Sequence, residues 1–402
     1  MIETSEQVVA PATDSPLPGL TNLHLIMGVQ CNVRCTMCYQ TDFSPRFNMP
    51  PALYRERLKE AYPYVSRVKL QGGEPTIMKN CREAATLLRA YPNVKLSVTT
   101  NGIFIDEFWH ETLAHQGAYV NVSINAASEE AYNKIVILGR YKQVIANVKR
   151  LAASRSGNTL ALCLSAVILK ENVFEIAQLV QLAADLGIAS VEFIVDPILS
   201  FAGLPSRTDV LAECGRARTV EANTAVKIAG LERFESHFTT PERQSSRDQA
   251  LKSGSCNMCL APFNHLVVDW KGDARVCCTT WVKLGNLNDT SLVDMWASSR
   301  IEAFRKKMRQ GSYLWCAPDC DANPAPTRLS LIHKYAYQVR EDPRQFARKI
   351  NQKILQLRGK WVKVKNKAPK PPVEQGEPQI PLVQIGTADK NGKSTGQTGC
   401  SS

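Results

Sequence analysis

The first half of the chain repeats one hydrophobic pattern six times. Short apolar runs at 23–29, 67–71, 94–99, 119–125, 160–169 and 190–195 read as strands. Between them lie stretches with helical spacing at 53–62, 82–90, 106–115, 129–137 and 141–153, and a further helix after Asn172. In that last helix Asn172 stands as the N-cap and Glu175 at the third helical position. Ile176, Leu179, Val180 and Ala183 form its stripe, and Gly187 stops it. Strands alternating with helices predict an α/β fold with a parallel sheet and right-handed crossovers. Polar motifs follow the first four strands. In α/β folds ligands gather at the C-terminal strand edge, so these motifs are expected to converge there.

The pattern then changes. Residues 1–20 read as a disordered leader, 21–200 as the α/β domain and 201–250 as linker helices with a polar tract. A cysteine-rich module spans 251–323, basic helices 324–366, and a disordered Pro/Gly/Gln/Thr tail 367–402. In the last helix Phe346, Ile350, Ile354 and Leu357 mark one face. No apolar run reaches the length of a membrane span, and residues 1–20 lack the basic and apolar regions of a signal peptide. The 13 cysteines are unevenly spaced in a chain of 402 residues, which favours a reduced, cytoplasmic metalloprotein over a disulfide scaffold. Net charge is +12, yet nine Lys/Arg and no Asp/Glu fall between Arg344 and Lys367. The main body is therefore nearly neutral and is no nucleic-acid platform. The basic helix could meet an acidic peptide, RNA or a membrane surface, or be a solvated helix packed by its apolar face.

Chemistry concentrates in Cys31-Asn-Val-Arg-Cys35-Thr-Met-Cys38, directly after the first apolar run. Three thiols in a polar loop can converge on one small object. A single Zn²⁺ would want a fourth protein ligand. A [4Fe–4S] cube held by three thiolates leaves one iron open for a non-protein ligand. Gly72-Gly73-Glu74-Pro75 ends the second strand, where glycines permit close backbone approach and a carboxylate or carbonyl can accept from an ammonium. Thr100-Asn101-Gly102 ends the third, although Asn-Gly also simply terminates strands. Ser123 and Asn125 alternate with Val122 and Ile124, so both are expected to face the interior, as ligand contacts or as a hydrogen-bonded core pair.

The cysteine loop and its neighbours resemble the radical S-adenosylmethionine (SAM) superfamily. That resemblance implies an open, partial (βα)6 barrel in which Cys31, Cys35 and Cys38 hold a [4Fe–4S] cluster chelated by SAM. It also implies SAM contacts from Met37, Tyr39, Gly72, Gly73, Glu74, Pro75, Asn101, Ser123 and Asn125. In the second module Cys259, Gly272 and Cys277 are followed by a distant pair, Cys316 and Cys320. This order resembles the SPASM/twitch extension that carries auxiliary Fe–S clusters. One auxiliary [4Fe–4S] cluster on Cys259, Cys277, Cys316 and Cys320 is expected, with Cys256 and Cys278 as alternates. The final C-x₃-C departs from the expected C-x₂-C, and a structural zinc at the four thiols competes. Cys81, Cys163 and Cys214 are isolated and read as inert buried thiols. His24, His110, His115, His237, His265 and His333 show no ligand spacing.

The resemblance implies an enzyme that cleaves SAM to a 5′-deoxyadenosyl radical and abstracts hydrogen from a substrate. It would be an oxidoreductase or isomerase, fed by an electron donor such as flavodoxin or ferredoxin. A peptide or protein substrate, undergoing oxidation, cross-linking or epimerisation, is the leading expectation. A sugar or aminocyclitol dehydrogenase or epimerase is the alternative. A non-catalytic Fe–S or zinc sensor is the reading from another class. Catalytic side chains are not assigned.

Overall fold

A computed structural model describes residues 15–40, 42–154, 160–196, 199–238, 259–316, 320, 328–341 and 343–357. Among them are twelve strands: β1 (Asn22–Ile26), β2 (Arg34–Cys35), β3 (Arg67–Gln71), β4 (Lys95–Thr100), β5 (Gly117–Ser123), β6 (Val136–Ile137), β7 (Ala161–Val167), β8 (Ser190–Ile194), β9 (Lys227–Ala229), β10 (His265–Asp269), β11 (Asp273–Arg275) and β12 (Gly285–Asn286). Ten of these form one sheet in the order β12-β11-β10-β1-β3-β4-β5-β7-β8-β9. It is parallel from β10 to β9 and antiparallel at its β11–β12 end. The crossovers carry α1 (Lys79–Leu88), α2 (Glu107–Gln116), α3 (Glu129–Ile135), α4 (Tyr141–Ala153), α5 (Ile176–Asp185), α6 (Arg207–Asn223) and α7 (Leu231–Phe238). Side-chain caps fix several helix starts: Asp106 accepts from Trp109 N, Ser128 from Ala131 N and Ser206 from Asp209 N.

All six expected strands form, so the α/β reading stands. Alternation explains the two faces. Leu23, Leu25, Val68, Leu70, Leu96, Val98, Val120 and Val122 are buried in the apolar core. His24, Lys69, Ser97, Asn121 and Glu192 occupy the other face. That face is concave. Lys69 on β3 and Glu192 on β8 feel each other's charge although β4, β5 and β7 lie between them in the sheet. The Tyr39 hydroxyl, beyond β1, donates to the Asp196 carboxylate beyond β8. The sheet therefore curls into a partial barrel.

The sheet does not end with the sixth unit. β10 pairs in parallel with β1, so the cysteine-rich segment extends the barrel wall. α8 (Leu292–Trp296) and α9 (Ser299–Arg309) follow, then α10 (Arg328–Glu341) and α11 (Pro343–Leu357). Tyr337 of α10 lies against Trp281, ring centroids 5.0 Å apart. Phe346 is half-buried near Tyr335, whereas Ile350 and Ile354 are exposed.

Four local expectations change. The helix expected over 53–62 is a short π-helix, Leu53–Arg57, and the one expected over 129–137 stops at Ile135, with Val136–Ile137 forming β6. Asn172 does not cap α5. A 3₁₀ turn, Val173–Glu175, intervenes, and the Asn172 amide donates instead to Asn125 O (2.7 Å) and Val167 O (2.8 Å). Leu17 and Leu20, placed in the leader by composition, are buried, and Trp296 Nε1 donates to Pro18 O.

Candidate active site

The site is assembled at the C-terminal edge, where the exits of β1 and β3 run side by side. Met27 N donates to Gln71 O (2.7 Å), Gly73 N to Gly28 O (3.1 Å) and Glu74 N to Gln30 O (2.7 Å). A Cβ on Gly73 would stand 2.1 Å from Gln30 O, and one on Gly72 would stand 2.6 Å from Gly28 O. The paired glycines thus let the chain that becomes the cysteine loop pass directly over the end of β3.

Glu74 is 1% exposed. Its carboxylate accepts from Thr76 N (3.1 Å), Thr76 Oγ1 (2.8 Å), Thr100 Oγ1 (2.7 Å) and Asn101 N (2.6 Å). Burial pushes its pKa up and these four donors oppose the shift. Its oxygens are engaged within the chain, so Glu74 ties the end of β3 to the end of β4. Glu74 O and Pro75 O accept from Ile77 N (3.3 Å) and Met78 N (3.1 Å) in the turn that follows, so within 72–75 the main-chain carbonyls of Gly72 and Gly73 are the candidate acceptors for an ammonium. Pro75 is buried and opens the 3₁₀ turn Pro75–Ile77. Asn101 Nδ2 donates to Asn32 Oδ1 (2.7 Å), linking β4 to the cysteine loop.

The loop is pinned from both sides. β2 pairs with β6, setting Cys35 opposite Val136, and Thr36 N donates to Ile135 O (2.9 Å). Cys38 N closes a turn onto Cys35 O (3.1 Å). Arg34, which spacing alone did not single out, is buried inside the loop. Its Nη1 donates to Cys31 O (2.9 Å) and Val33 O (2.7 Å), and its guanidinium lies over the Phe43 ring at 3.9 Å. Its placement between two of the cysteines was the available signal. Met37 is half-buried against the core, and Tyr39 is 62% exposed. Ser123 Oγ meets Ser165 Oγ at 3.5 Å. Asn125 Oδ1 accepts from Val167 N (3.0 Å), so Asn125 joins the ends of β5 and β7.

Burial pushes the Cys31 thiol up to about 12, with Glu74 adding to the rise. Cys35 is raised by burial and by the neighbouring Cys38 and Cys31. Three buried thiols this close are costly as bare thiolates; a soft cationic cluster removes that cost. No three His, Cys, Asp or Glu among the described residues are drawn together as a single-ion site. The Cys35 thiol feels the charge of both Cys38 and Cys31, so the three belong to one neighbourhood. The donor set fits a [4Fe–4S] cluster with one open iron.

The second thiol group is built by the β10–β11 hairpin, whose turn uses Gly272 at φ +87°. Cys277 follows β11. Thr280 Oγ1 donates to Trp315 O (2.7 Å), bringing the loop after β11 to Cys316. Burial raises Cys316, and Cys277, Cys320 and Cys259 add to it. Burial likewise raises Cys259, with Cys277 and Cys320 contributing. All four expected thiols therefore share one neighbourhood. Cys256 lies outside the described residues. Burial and the neighbouring Cys277 raise the Cys278 thiol, and the charge of Lys69 opposes the rise.

An α/β barrel edged by one three-thiol loop and extended by a segment that gathers four more thiols is the architecture of an iron–sulfur protein. Residues 25–183 match the sequence model of the radical SAM superfamily, and 259–321 match that of an iron-sulfur cluster-binding domain, SPASM. The chain belongs to the radical SAM superfamily and carries a C-terminal SPASM-type domain. The cofactors that go with these domains are a [4Fe–4S] cluster, SAM and an auxiliary Fe–S cluster. Among curated proteins it is 26% identical over 168 residues to a probable GTP 3′,8-cyclase of Thermoplasma volcanium, covering 41% of this chain and 50% of the relative. It is 30% identical over 199 residues to a GTP 3′,8-cyclase of Rhodopseudomonas palustris, covering 46% and 57%. The chain thus spans about half the length of the curated relatives it matches. Its fold resembles Streptococcus suis SuiB bound to precursor peptide SuiA (TM-score 0.56, 16% identity, 78% of this chain and 73% of that one). It also resembles anSMEcpe with bound AdoMet and Kp18Cys peptide (TM-score 0.52, 18% identity, 83% and 100%). No helix among the described residues is long and apolar enough to cross a membrane.

Proposed function

We propose that this protein is a radical SAM enzyme that abstracts hydrogen from a peptide or protein substrate held in the barrel. When bound, a reduced [4Fe–4S] cluster and SAM supply a 5′-deoxyadenosyl radical. The chain's own residues position and shield that chemistry. Cys31, Cys35 and Cys38 hold the cluster. The main chain of 72–75, through the Gly72 and Gly73 carbonyls, receives the SAM amino group, and Asn101, Ser123 and Asn125 border its ribose and carboxylate. The backbone around Met37 and Tyr39 flanks the adenine, and the Tyr39–Asp196 bridge narrows the mouth against water.

One observation carries the reading. The cysteine-rich segment adds β10 to the barrel wall beside β1, and the charge of Cys278, next to Cys277, is felt at Lys69 on β3. An auxiliary cluster on Cys259, Cys277, Cys316 and Cys320 would sit where it can take an electron from a substrate radical or return one. The peptide assignment is supported by fold neighbours with bound peptides that cover 78% and 83% of this chain, against less than half for the cyclases. Anaerobic incubation of the reconstituted protein with dithionite and SAM is expected to release 5′-deoxyadenosine. Yield no greater than that of Cys35→Ala would leave a non-catalytic iron–sulfur protein.

A further inference from the structure

Among the described residues, the barrel interior holds buried polar atoms without a hydrogen-bond partner, while the His24 side chain also has Gln71 as a hydrogen-bonding neighbour. His24 Nε2, Ser97 Oγ, Thr99 Oγ1 and Asn121 Oδ1 are buried without a hydrogen-bond partner. They lie on β1, β4 and β5. The register places His24 beside Lys69, Lys69 beside Ser97, and Thr99 beside Asn121. His24, Ser97 and Asn121 are each more than nine-tenths buried. Lys69 stands among them and forms no ion pair among the described residues. Cys278 and Glu192 are the groups whose charge favours its ammonium, and neither touches it. A half-buried ammonium without an ion-pair partner among the described residues, ringed by unused hydroxyl and imidazole groups, is costly as it stands.

We propose that this wall, Lys69 with His24 and Ser97, binds a carboxylate carried by the substrate. Lys69 supplies the charge, Ser97 and Thr99 donate hydroxyl protons, and His24 adds Nε2–H in the matching tautomer. Burial lowers the His24 pKa to about 3, so the imidazole is neutral and adds a hydrogen bond, not a second charge. One cation suits one negative charge. A multiply charged phosphate would meet the Glu192 carboxylate in the same interior. The assignment rests on the proposed function, since it names what that substrate presents. A side-chain carboxylate or a C-terminal carboxylate of a peptide would supply the group.

The test uses anaerobically reconstituted protein with SAM, treated with acetic anhydride while Lys69 acetylation is followed by mass spectrometry. N-acetyl-glutamate N-methylamide presents a side-chain carboxylate and N-acetyl-alanine a terminal one. N-acetyl-glutamine N-methylamide is the neutral match, and inorganic phosphate is the competing anion. One or both carboxylate probes are expected to slow Lys69 acetylation at least about fivefold, and which one does so identifies the source. The neutral amide should not. Ser97→Ala should keep the melting temperature, because the Ser97 hydroxyl has no partner to lose, and should weaken protection severalfold. Equal protection by acid and amide, stronger protection by phosphate, or unchanged protection in Ser97→Ala would each overturn the assignment. So would shielding by cluster loading with no dependence on probe. Release of 5′-deoxyadenosine alongside any of these would leave the proposed function standing and remove only the carboxylate site.

Discussion

The two thiol groups are built in opposite ways. Cys31, Cys35 and Cys38 sit in one short loop, shaped by Arg34 from within and held by Asn101 and β6 from outside. Cys259, Cys277, Cys316 and Cys320 come from three distant segments, joined by a hairpin, the Thr280–Trp315 hydrogen bond and the Phe304–Trp315 ring contact at 5.3 Å. A local group can be damaged one residue at a time. A dispersed one depends on the surrounding fold, so its ligand assignment is the part most open to experiment.

The strongest challenge is Cys35→Ala. It should lower iron from about eight to about four per chain and reduce 5′-deoxyadenosine to background, leaving the auxiliary signal in electron paramagnetic resonance. The matching pair on the other side is Cys277→Ala and Cys278→Ser. The first should cost about four irons and the second none. The reverse result would move the auxiliary register by one residue.

Next come the supports of the first loop. Gly73→Ala forces a Cβ to 2.1 Å from a backbone oxygen, so a loss of roughly 3 kcal/mol in denaturant unfolding is expected. Glu74→Gln turns an acceptor of four hydrogen bonds partly into a donor and should cost about 1–3 kcal/mol.

The interior wall gives a pH signature. Burial holds His24 at about 3, against 6.5 for the ordinary side chain. Between those values the unfolded chain takes up the proton and the folded chain does not. Stability from this group is therefore full above pH 6.5 and falls as pH drops toward 3. His24→Gln should reduce the fall in melting temperature between pH 7 and 5.5, with His265, also lowered by burial, keeping part of it. The smallest effect is expected from Tyr39→Phe. Its hydroxyl bridge to the buried Asp196 carboxylate is part-buried, so a loss of about 1 kcal/mol in unfolding is expected, with any catalytic change appearing in KM.

The same contrast explains what the sequence made legible. Strand positions followed from alternation, and the first thiol loop from its spacing, because both are local. The start of α5 was misjudged because Asn172 and Glu175 bond to residues almost fifty positions earlier, Asn125 and Ser128. The engagement of Glu74 was hidden for the same reason, since Thr100 and Asn101 reach it only once β3 and β4 are paired. His24 carried no ligand spacing. Its role depends on Lys69 and Ser97 in neighbouring strands, which only register reveals.

Pairing of β10 with β1 also governs how this chain can be cut. A fragment stopping near residue 238 would strip the outer neighbour from β1 and bare a row of amide and carbonyl groups beside the cysteine loop. Such a piece would find strands on other copies of itself, so insoluble material, not a minimal enzyme, is the expected product of removing everything after that point.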